Sequence, residues 1–397
     1  MNAHSRLAHR PRTARRGFTL VEILTVVLII GILMAFAVPA VFRALERAKV
    51  GRVRVEIEGM EQAINSYNTK YGDFPPDFID FAIVQRHYRK AFPNIATSEL
   101  SLLQRALDVN LPNDSDASIA VGAHDPTKMD RAEALYWALG GFSSDPQFPF
   151  TGPGGPLELI PGEDPTLPAS YQVNVGRDNA LFEFDLSGLT ISKPDASAVL
   201  SSANKAMSTD ETGPGTVPDL FPIYLNSEGG PYVYFDSRTY TAFDPSLGFN
   251  GYGHPTYGLI RPYASDQPVV KTTTSTYEVD SGSSDPMVQA AFSLTAWEFV
   301  NPNTFQILSA GLDGTFGLIA DFDADGNGTI EIDEPAYMQY PSGNAIVAFA
   351  DATDPGMLQI STFRRFQNQG DANLDEEGQI DNITNFSIGK VVDDVPE

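Results

Sequence analysis

The residues best equipped for chemistry are acidic and lie near the C-terminus, in Asp323-Ala324-Asp325-Gly326-Asn327-Gly328-Thr329-Ile330-Glu331-Ile332-Asp333-Glu334. Their spacing fits a calcium loop of about 12 residues. Asp323, Asp325 and Asn327 supply the first three side-chain ligands and the Thr329 carbonyl the fourth. Glu331 makes a direct or water-bridged contact, and Glu334 closes the loop as a bidentate carboxylate. Calcium takes about six to eight hard oxygens, so side chains at odd positions converge only if the backbone curls around the ion. Gly328 falls where that curl is sharpest and Ile330 where an apolar anchor is needed. A solvated acidic turn is the plainer alternative, since Asp-Gly-Asn-Gly is ordinary turn chemistry. Every side-chain position of the template is nonetheless filled. Flanking helices are missing: Phe316–Ala320 is short and strand-like, and Pro335 follows Glu334 at once. The loop therefore reads as a structural clamp and not as an opening-helix switch.

A second cluster, Asp371, Asn373, Asp375, Glu376, Glu377 and Asp381, begins like a calcium loop but carries extra residues before Ile380. Other chemistry is poorly supplied. The chain has no cysteine, which removes disulfides, thiolate metal sites and thiol nucleophiles together, so any cross-link must come from a metal ion. His87, His124 and His254 show no metal-ligand spacing, and no G-x-S-x-G elbow occurs. An enzyme is not the expected class. Net charge is −25. The first 17 residues hold five arginines and no acid, so the remainder carries 21 basic against 51 acidic residues, a net −30. Such a surface repels phosphate, which argues against nucleic acid as a partner and favours multivalent cations.

One carboxylate stands apart. Glu22 follows Gly17-Phe18-Thr19-Leu20-Val21 and opens a run, Ile23–Phe42, without a charged residue. About 20 apolar residues are what a helix needs to cross a bilayer. Arg6, Arg10, Arg12, Arg15 and Arg16 precede it and stay cytoplasmic by the positive-inside rule, which sends the bulk of the chain across the membrane. A plain signal anchor would retain this segment, and a signal peptide would be cut after it, with Ala35-Phe36-Ala37 as an A-x-A-like site. Neither accounts for an ionisable group within the membrane segment, which is costly and usually has a partner or a task.

The Gly17-Phe18 junction, Glu22 as the fifth residue after Gly17, and Pro39 late in the apolar run together resemble the type IV pilin and type II secretion pseudopilin family. The resemblance implies that a prepilin peptidase cuts after Gly17 and that the new N-terminal Phe18 is methylated. It implies that the helix stays on the mature subunit, bent at Pro39, and that the Glu22 carboxylate neutralises the Phe18 ammonium of a neighbouring subunit in a filament. Met60–Tyr67 with Tyr71-Gly72-Asp73-Phe74-Pro75 resembles the major pseudopilin branch, as do Phe305–Gly317 and Asp381–Phe386. In those proteins the last loop binds calcium, so Asp313 and Asp381 are carried over as possible ligands, with Asp371, Asn373 and Asp375 beside them. An insertion at about 318–377 separates the two halves of that loop. The resemblance covers roughly 15–76 and, with gaps, 298–386; the middle, 77–297, matches only loosely.

These groups need elements to hold them. Val53, Ile57, Met60, Ile64, Tyr67 and Tyr71 recur at steps of four and three, with charged residues between, which predicts one long helix over 18–71 ended by Gly72 and Pro75-Pro76. At about 1.5 Å per residue it is a rod of roughly 80 Å, membrane-spanning over 20–42 and free to pack on a domain beyond. Helices are expected at 78–92, 98–107 and 131–139, and strands at 232–235, 257–260 and 304–308. Pro/Gly-rich 145–168 and 244–255 and the Ser/Thr run 272–284 read as loops. The expected fold is α+β and pilin-like: a long N-terminal transmembrane helix packed on an antiparallel sheet with large loop insertions. The layout is a removable basic leader at 1–17, the helix, and an extracytoplasmic globular domain at 72–397. The expected place is the bacterial inner membrane, single-pass, with the domain in the periplasm. Its partners are the prepilin peptidase, the assembly platform and other pilin or pseudopilin subunits. A secretion pseudopilus, a pilus and a DNA-uptake fibre remain open, as does a filament-mounted or membrane-anchored adhesion module.

Overall fold

The computed structural model describes residues 18–107, 129–201, 203–210, 219–240, 251–254, 256–268, 276–277, 297–316, 336–351, 354–361, 366 and 379–396. The chain divides into two compact units, Met1–Ala48 and Lys49–Glu397. The expected leader, residues 1–17, lies outside the described residues.

Helix α1 runs from Leu20 to Tyr71 and is continuous through Pro39. Proline has no N–H to offer, so the turn there lacks one bond of the ladder. In the first unit the helix is apolar on every side, and its residues from Ile23 through Val41 are exposed. Within the second unit the pattern becomes one-sided: Val53, Ile57, Met60, Ala63, Ile64 and Tyr67 are buried. Arg52–Glu56 and Arg54–Glu58 pairs line the other face at 3.6 and 3.2 Å. Gly72 ends the helix with φ +78° and donates its amide to the Asn68 carbonyl at 2.7 Å, the left-handed stop that favours glycine.

Three short helices follow. Helix α2, Phe81–Ala91, starts later than the pattern suggests because Asp80 caps it, accepting the Ala82 and Ile83 amides. Helix α3 spans Thr97–Leu107. Helix α4 is reduced to Ala134–Leu139, all six side chains buried. The turn before it is held by Asp130 Oδ1, which accepts the Ala132 and Glu133 amides at 2.7 and 3.1 Å.

A core of rings fills the space between α1, α2 and α4. Tyr67, Tyr71, Tyr88, Trp137, Phe142 and Phe150 meet at tilted or edge-on angles, which suits the ring quadrupoles. His87 is buried among them, its Nε2 2.7 Å from the Tyr67 hydroxyl. Burial, with a smaller repulsion from Arg238, lowers its pKa from 6.5 to about 4. Because the folded-state pKa is depressed, His87 favours folding above pH 6.5, and that contribution is lost as pH falls toward about 4. The loss is up to about 3 kcal/mol. Chemical unfolding at pH 7 and pH 4 should show that His87→Gln, which can still meet Tyr67, removes this part of the acid sensitivity. Parallel pH profiles for the two proteins would refute it.

Three strands form the sheet on which α1 packs: β3 (Tyr232–Asp236), β9 (Phe305–Ser309) and β13 (Ile383–Thr384), antiparallel in the order β13-β9-β3. Tyr232 pairs with Ser309 and Asp236 with Phe305. Strands β3 and β9 are buried on both faces, and their alternation sorts two cores. Tyr232, Tyr234 and Ile307 join the cluster containing α1, whereas Val233, Phe235 and Leu308 join a second cluster with Tyr252, Tyr263 and Tyr337. Helix α1 thus packs on an antiparallel sheet, and the fold is α+β and pilin-like.

Several expected loops are strands. Strand β1 (Leu157–Leu159) pairs with β2 (Tyr171–Val173) inside the Pro/Gly-rich stretch and just beyond it. Strand β4 (Tyr252–His254) pairs with β5 (Gly258–Ile260). The insertion also contributes β10 (Ala336–Tyr340), β11 (Ala345–Asp351) and β12 (Asp354–Ser361). These join β6 (Ala264–Pro268), β7 (Thr276–Tyr277) and β8 (Trp297–Phe299) in the order β7-β12-β11-β10-β6-β8. The β10–β6 pair is parallel, Gln339 opposite Ala264. The insertion is therefore built into a sheet whose partners come from the middle of the chain, a long-range pairing that local turn residues do not report.

A buried ion pair ties these parts together. Arg131 Nε donates to Asp77 Oδ2 at 2.9 Å, Nη1 to the Gly251 carbonyl at 2.8 Å and Nη2 to the Thr239 carbonyl at 3.0 Å. The guanidinium also lies 4.7 Å from the centroid of the Phe235 ring. The Thr239 hydroxyl donates to the same Asp77 oxygen.

Candidate assembly and metal sites

The start of α1 is built by three residues. Thr19 donates its amide and its hydroxyl to Glu22 Oε2, both at 2.8 Å, while the Glu22 amide donates to Thr19 Oγ1 at 3.2 Å. This reciprocal pairing is a capping box: the first amides of a helix have no partners within it, and the two side chains supply them. The T-x-x-E spacing of Thr19 and Glu22 is the sequence signal that announces it, one that the charge of Glu22 in an apolar run overshadows. Phe18, beside this cap, is 81% exposed. Glu22 is thus held against the helix N-terminus within a few residues of Phe18, at the head of an apolar surface that no described residue of the first unit covers. Pro39 lies inside the same helix. Gly17 lies outside the described residues. The arrangement can anchor in lipid, and it can offer a fixed carboxylate to a cation.

Of the expected metal ligands, Asp323, Asp325, Asn327, Thr329, Glu331 and Glu334 all lie outside the described residues, as do Asp371, Asn373 and Asp375. Asp313 and Asp381 are described, and the fold brings their segments together. Asp381, nearly buried, accepts the Leu312 and Asp313 amides through Oδ2 at 2.6 and 3.1 Å. Asp313 is exposed, and its Oδ1 accepts the Thr315 amide at 2.8 Å. Gly311, with φ +65°, makes the approach possible, since a Cβ there would sit 2.5 Å from the Asp381 carboxylate. Asn226 secures the turn by donating to Ser309 Oγ and the Gly311 carbonyl at 2.9 and 3.1 Å. Both residues carry hard carboxylate oxygens of the kind calcium takes, and each already accepts backbone amides. Resemblance pointed to the two residues; their use as acceptors of backbone amides went unforeseen.

Fold and N-terminal site together define a protein with a membrane-length apolar helix, capped at its head and continuing into an α+β unit. The family description "Prokaryotic N-terminal methylation motif" matches residues 12–38. The chain is 38% identical over 65 residues to the type IV major pilin protein PilE of Neisseria gonorrhoeae, a stretch that is 16% of this chain and 39% of that protein. It is likewise 38% identical over 63 residues to a fimbrial protein of Neisseria meningitidis serogroup B, covering 16% of this chain and 37% of that one. The N-terminal segment is therefore similar to those of type IV pilins, and the likeness spans under two-fifths of these relatives' length. No solved structure matches the chain.

Proposed function

We propose that this chain is a pilin-like structural subunit. Prepilin peptidase cuts after Gly17, Phe18 becomes the methylated N-terminus, and the α1 segment 20–42 holds the subunit in the bacterial inner membrane as a single pass, with the globular unit on the periplasmic side. An inner-membrane assembly platform then draws subunits into a filament, a type II secretion pseudopilus or a type IV pilus. The observation that carries this reading is the methylation motif at the head of an exposed apolar helix whose later turns enter the core of an α+β unit. In the filament the Glu22 carboxylate, positioned by Thr19, neutralises the Phe18 ammonium of the neighbouring subunit and sets register. Sheared filaments sedimented from cells with and without prepilin peptidase test this. The chain should appear in the pellet only with the peptidase, and a chain soluble in both would contradict it.

Calcium belongs to the same reading as a clamp on the C-terminal loops, held by Asp323, Asp325, Asn327, Thr329, Glu331 and Glu334 and at a second place by Asp313 and Asp381. Acidic loops without an ion repel themselves, and binding energy for the folded form adds directly to stability. Chelation should lower the melting temperature of the full chain, and Asp323→Ala with Asp325→Ala should blunt that response. An unchanged melt with no calcium found by mass spectrometry would refute the clamp.

A further inference from the structure

Glu133, Asp210 and Asp219 each bring a carboxylate oxygen within 4.8 Å of the other two. Glu133 precedes α4 and is 1% exposed; Asp219 is 4% exposed. The three arrive by separate routes. Glu133 Oε2 accepts the Asp130 amide at 2.7 Å. The segments bearing the two aspartates are joined by the Ser208 amide, which donates to the Asp219 carbonyl at 3.0 Å, and Thr190 braces both, its carbonyl accepting the Thr209 amide at 2.8 Å and its amide donating to the Ile223 carbonyl at 3.3 Å. His254 braces them from outside: its Nδ1 accepts the Thr256 and Tyr257 amides, so Nε2 carries the proton it donates to the Asp210 carbonyl at 3.0 Å.

The unmet demand of this cluster sits on Asp219. Its Oδ1 accepts the Phe221 amide at 2.8 Å, but its Oδ2, deeply buried, meets no N–H or O–H donor at hydrogen-bond distance and has the Asp210 carboxyl and the Ser208 side chain beside it. Burial pushes the Asp219 carboxyl well up and the Asp210 carboxyl up, with the Asp210 charge adding to the effect on Asp219. Neutral oxygens stand alongside: the Ser208 hydroxyl donates to Asp210 Oδ1, and Thr190 Oγ1 lies 3.2 Å from Ser208 Oγ.

Three carboxylates this close, two of them buried, require a counter-charge or a proton, because like charges in a poorly solvated site destabilise one another strongly. We propose that Glu133, Asp210 and Asp219 form a site for a divalent, oxygen-seeking cation of the calcium class. An all-oxygen donor set suits calcium, magnesium or manganese and disfavours metals that prefer nitrogen or sulfur. The ion would supply the missing partner of Asp219 Oδ2 and pin the turn before α4 to the segments around 208 and 219. This site shares no residue with the C-terminal acidic loops and does not depend on filament assembly.

The test uses the full chain in detergent micelles, carrying Asp323→Ala and Asp325→Ala to silence the C-terminal loop, dialysed against calcium chloride and analysed for bound metal. Asp219→Asn, which is isosteric and keeps an acceptor for the Phe221 amide, should lower bound calcium by one equivalent per chain. Glu133→Gln, on the other segment, should cause the same loss. In EDTA the Asp219→Asn protein should melt no lower than its parent, since a repulsion has been removed, and calcium should raise its melting temperature less. Equal calcium content in parent and both variants, or a loss confined to one of them, would overturn the site in favour of a shared proton.

Discussion

Glu22→Gln should abolish filament incorporation nearly as completely as Glu22→Ala, while both proteins still insert in the membrane. The pair of substitutions separates the helix cap made by this carboxylate from the counter-charge role proposed for it. Glutamine can keep the reciprocal bonds with Thr19, because a capping box accepts either Glu or Gln at its third position. Alanine loses both the cap and the charge, and a lost cap costs about 1 kcal/mol. If Glu22 neutralises a neighbouring Phe18 ammonium in lipid, removing its charge strands that ammonium without a counter-charge. Incorporation should then fall by on the order of a hundredfold or more. Thr19→Ala, which removes the cap and keeps the charge, should cost far less. Immunoblots of sheared filaments against membrane fractions measure all three. Normal assembly of the Gln variant would reduce Glu22 to a helix cap.

In the globular unit the largest effect is expected at Asp77. Arg131 is completely buried and, among the described residues, its guanidinium pairs with one anion, Asp77, the other contacts being carbonyls and the Phe235 ring. Asp77→Ala leaves that cation in the core without this counter-charge and should destabilise the fold by about 3–5 kcal/mol. By contrast Asp73→Ala removes a part-exposed bond to Arg238, 2.9 Å long, and should cost about 1 kcal/mol or less. Arg131→Met combined with Asp77→Leu should recover much of the loss, because replacing both charges by apolar groups of similar size removes the desolvation penalty as well. Urea unfolding of the full chain in micelles gives the three values. A small cost for Asp77→Ala, comparable to that at Asp73, would show that the pair does not tie the Asp77 segment to α4 and β3.

The elements that were legible in the residues are those with a strong local period. Helix α1 announces itself through an uncharged run and then through Val53, Ile57, Met60, Ile64 and Tyr67; β3 and β9 appear as short apolar runs between turn residues. The six-stranded sheet was hidden because β6, β8 and β10 find one another across the chain, and the acidic residues before β10 suggested a loop. Helix α4 was overlong in prospect, since Asp130 turns the chain where hydrophobic spacing alone continues a helix. Of the sites, the Gly17-Phe18 junction and Glu22 were visible as an anomaly of charge in an apolar run. The cluster of Glu133, Asp210 and Asp219 was not, because three acids far apart in a chain with 51 look like surface until the fold closes.

Pilin-type processing is tested most directly by the intact mass and terminal peptide of the chain recovered from membranes or sheared filaments. The predicted result is a protein lacking residues 1–17 and beginning at Phe18 with one methyl group on its amine. A chain that begins at Val38 would be a secreted soluble protein, and one that retains Met1–Gly17 would be a plain anchored protein; either would contradict assignment as a pilin-like subunit.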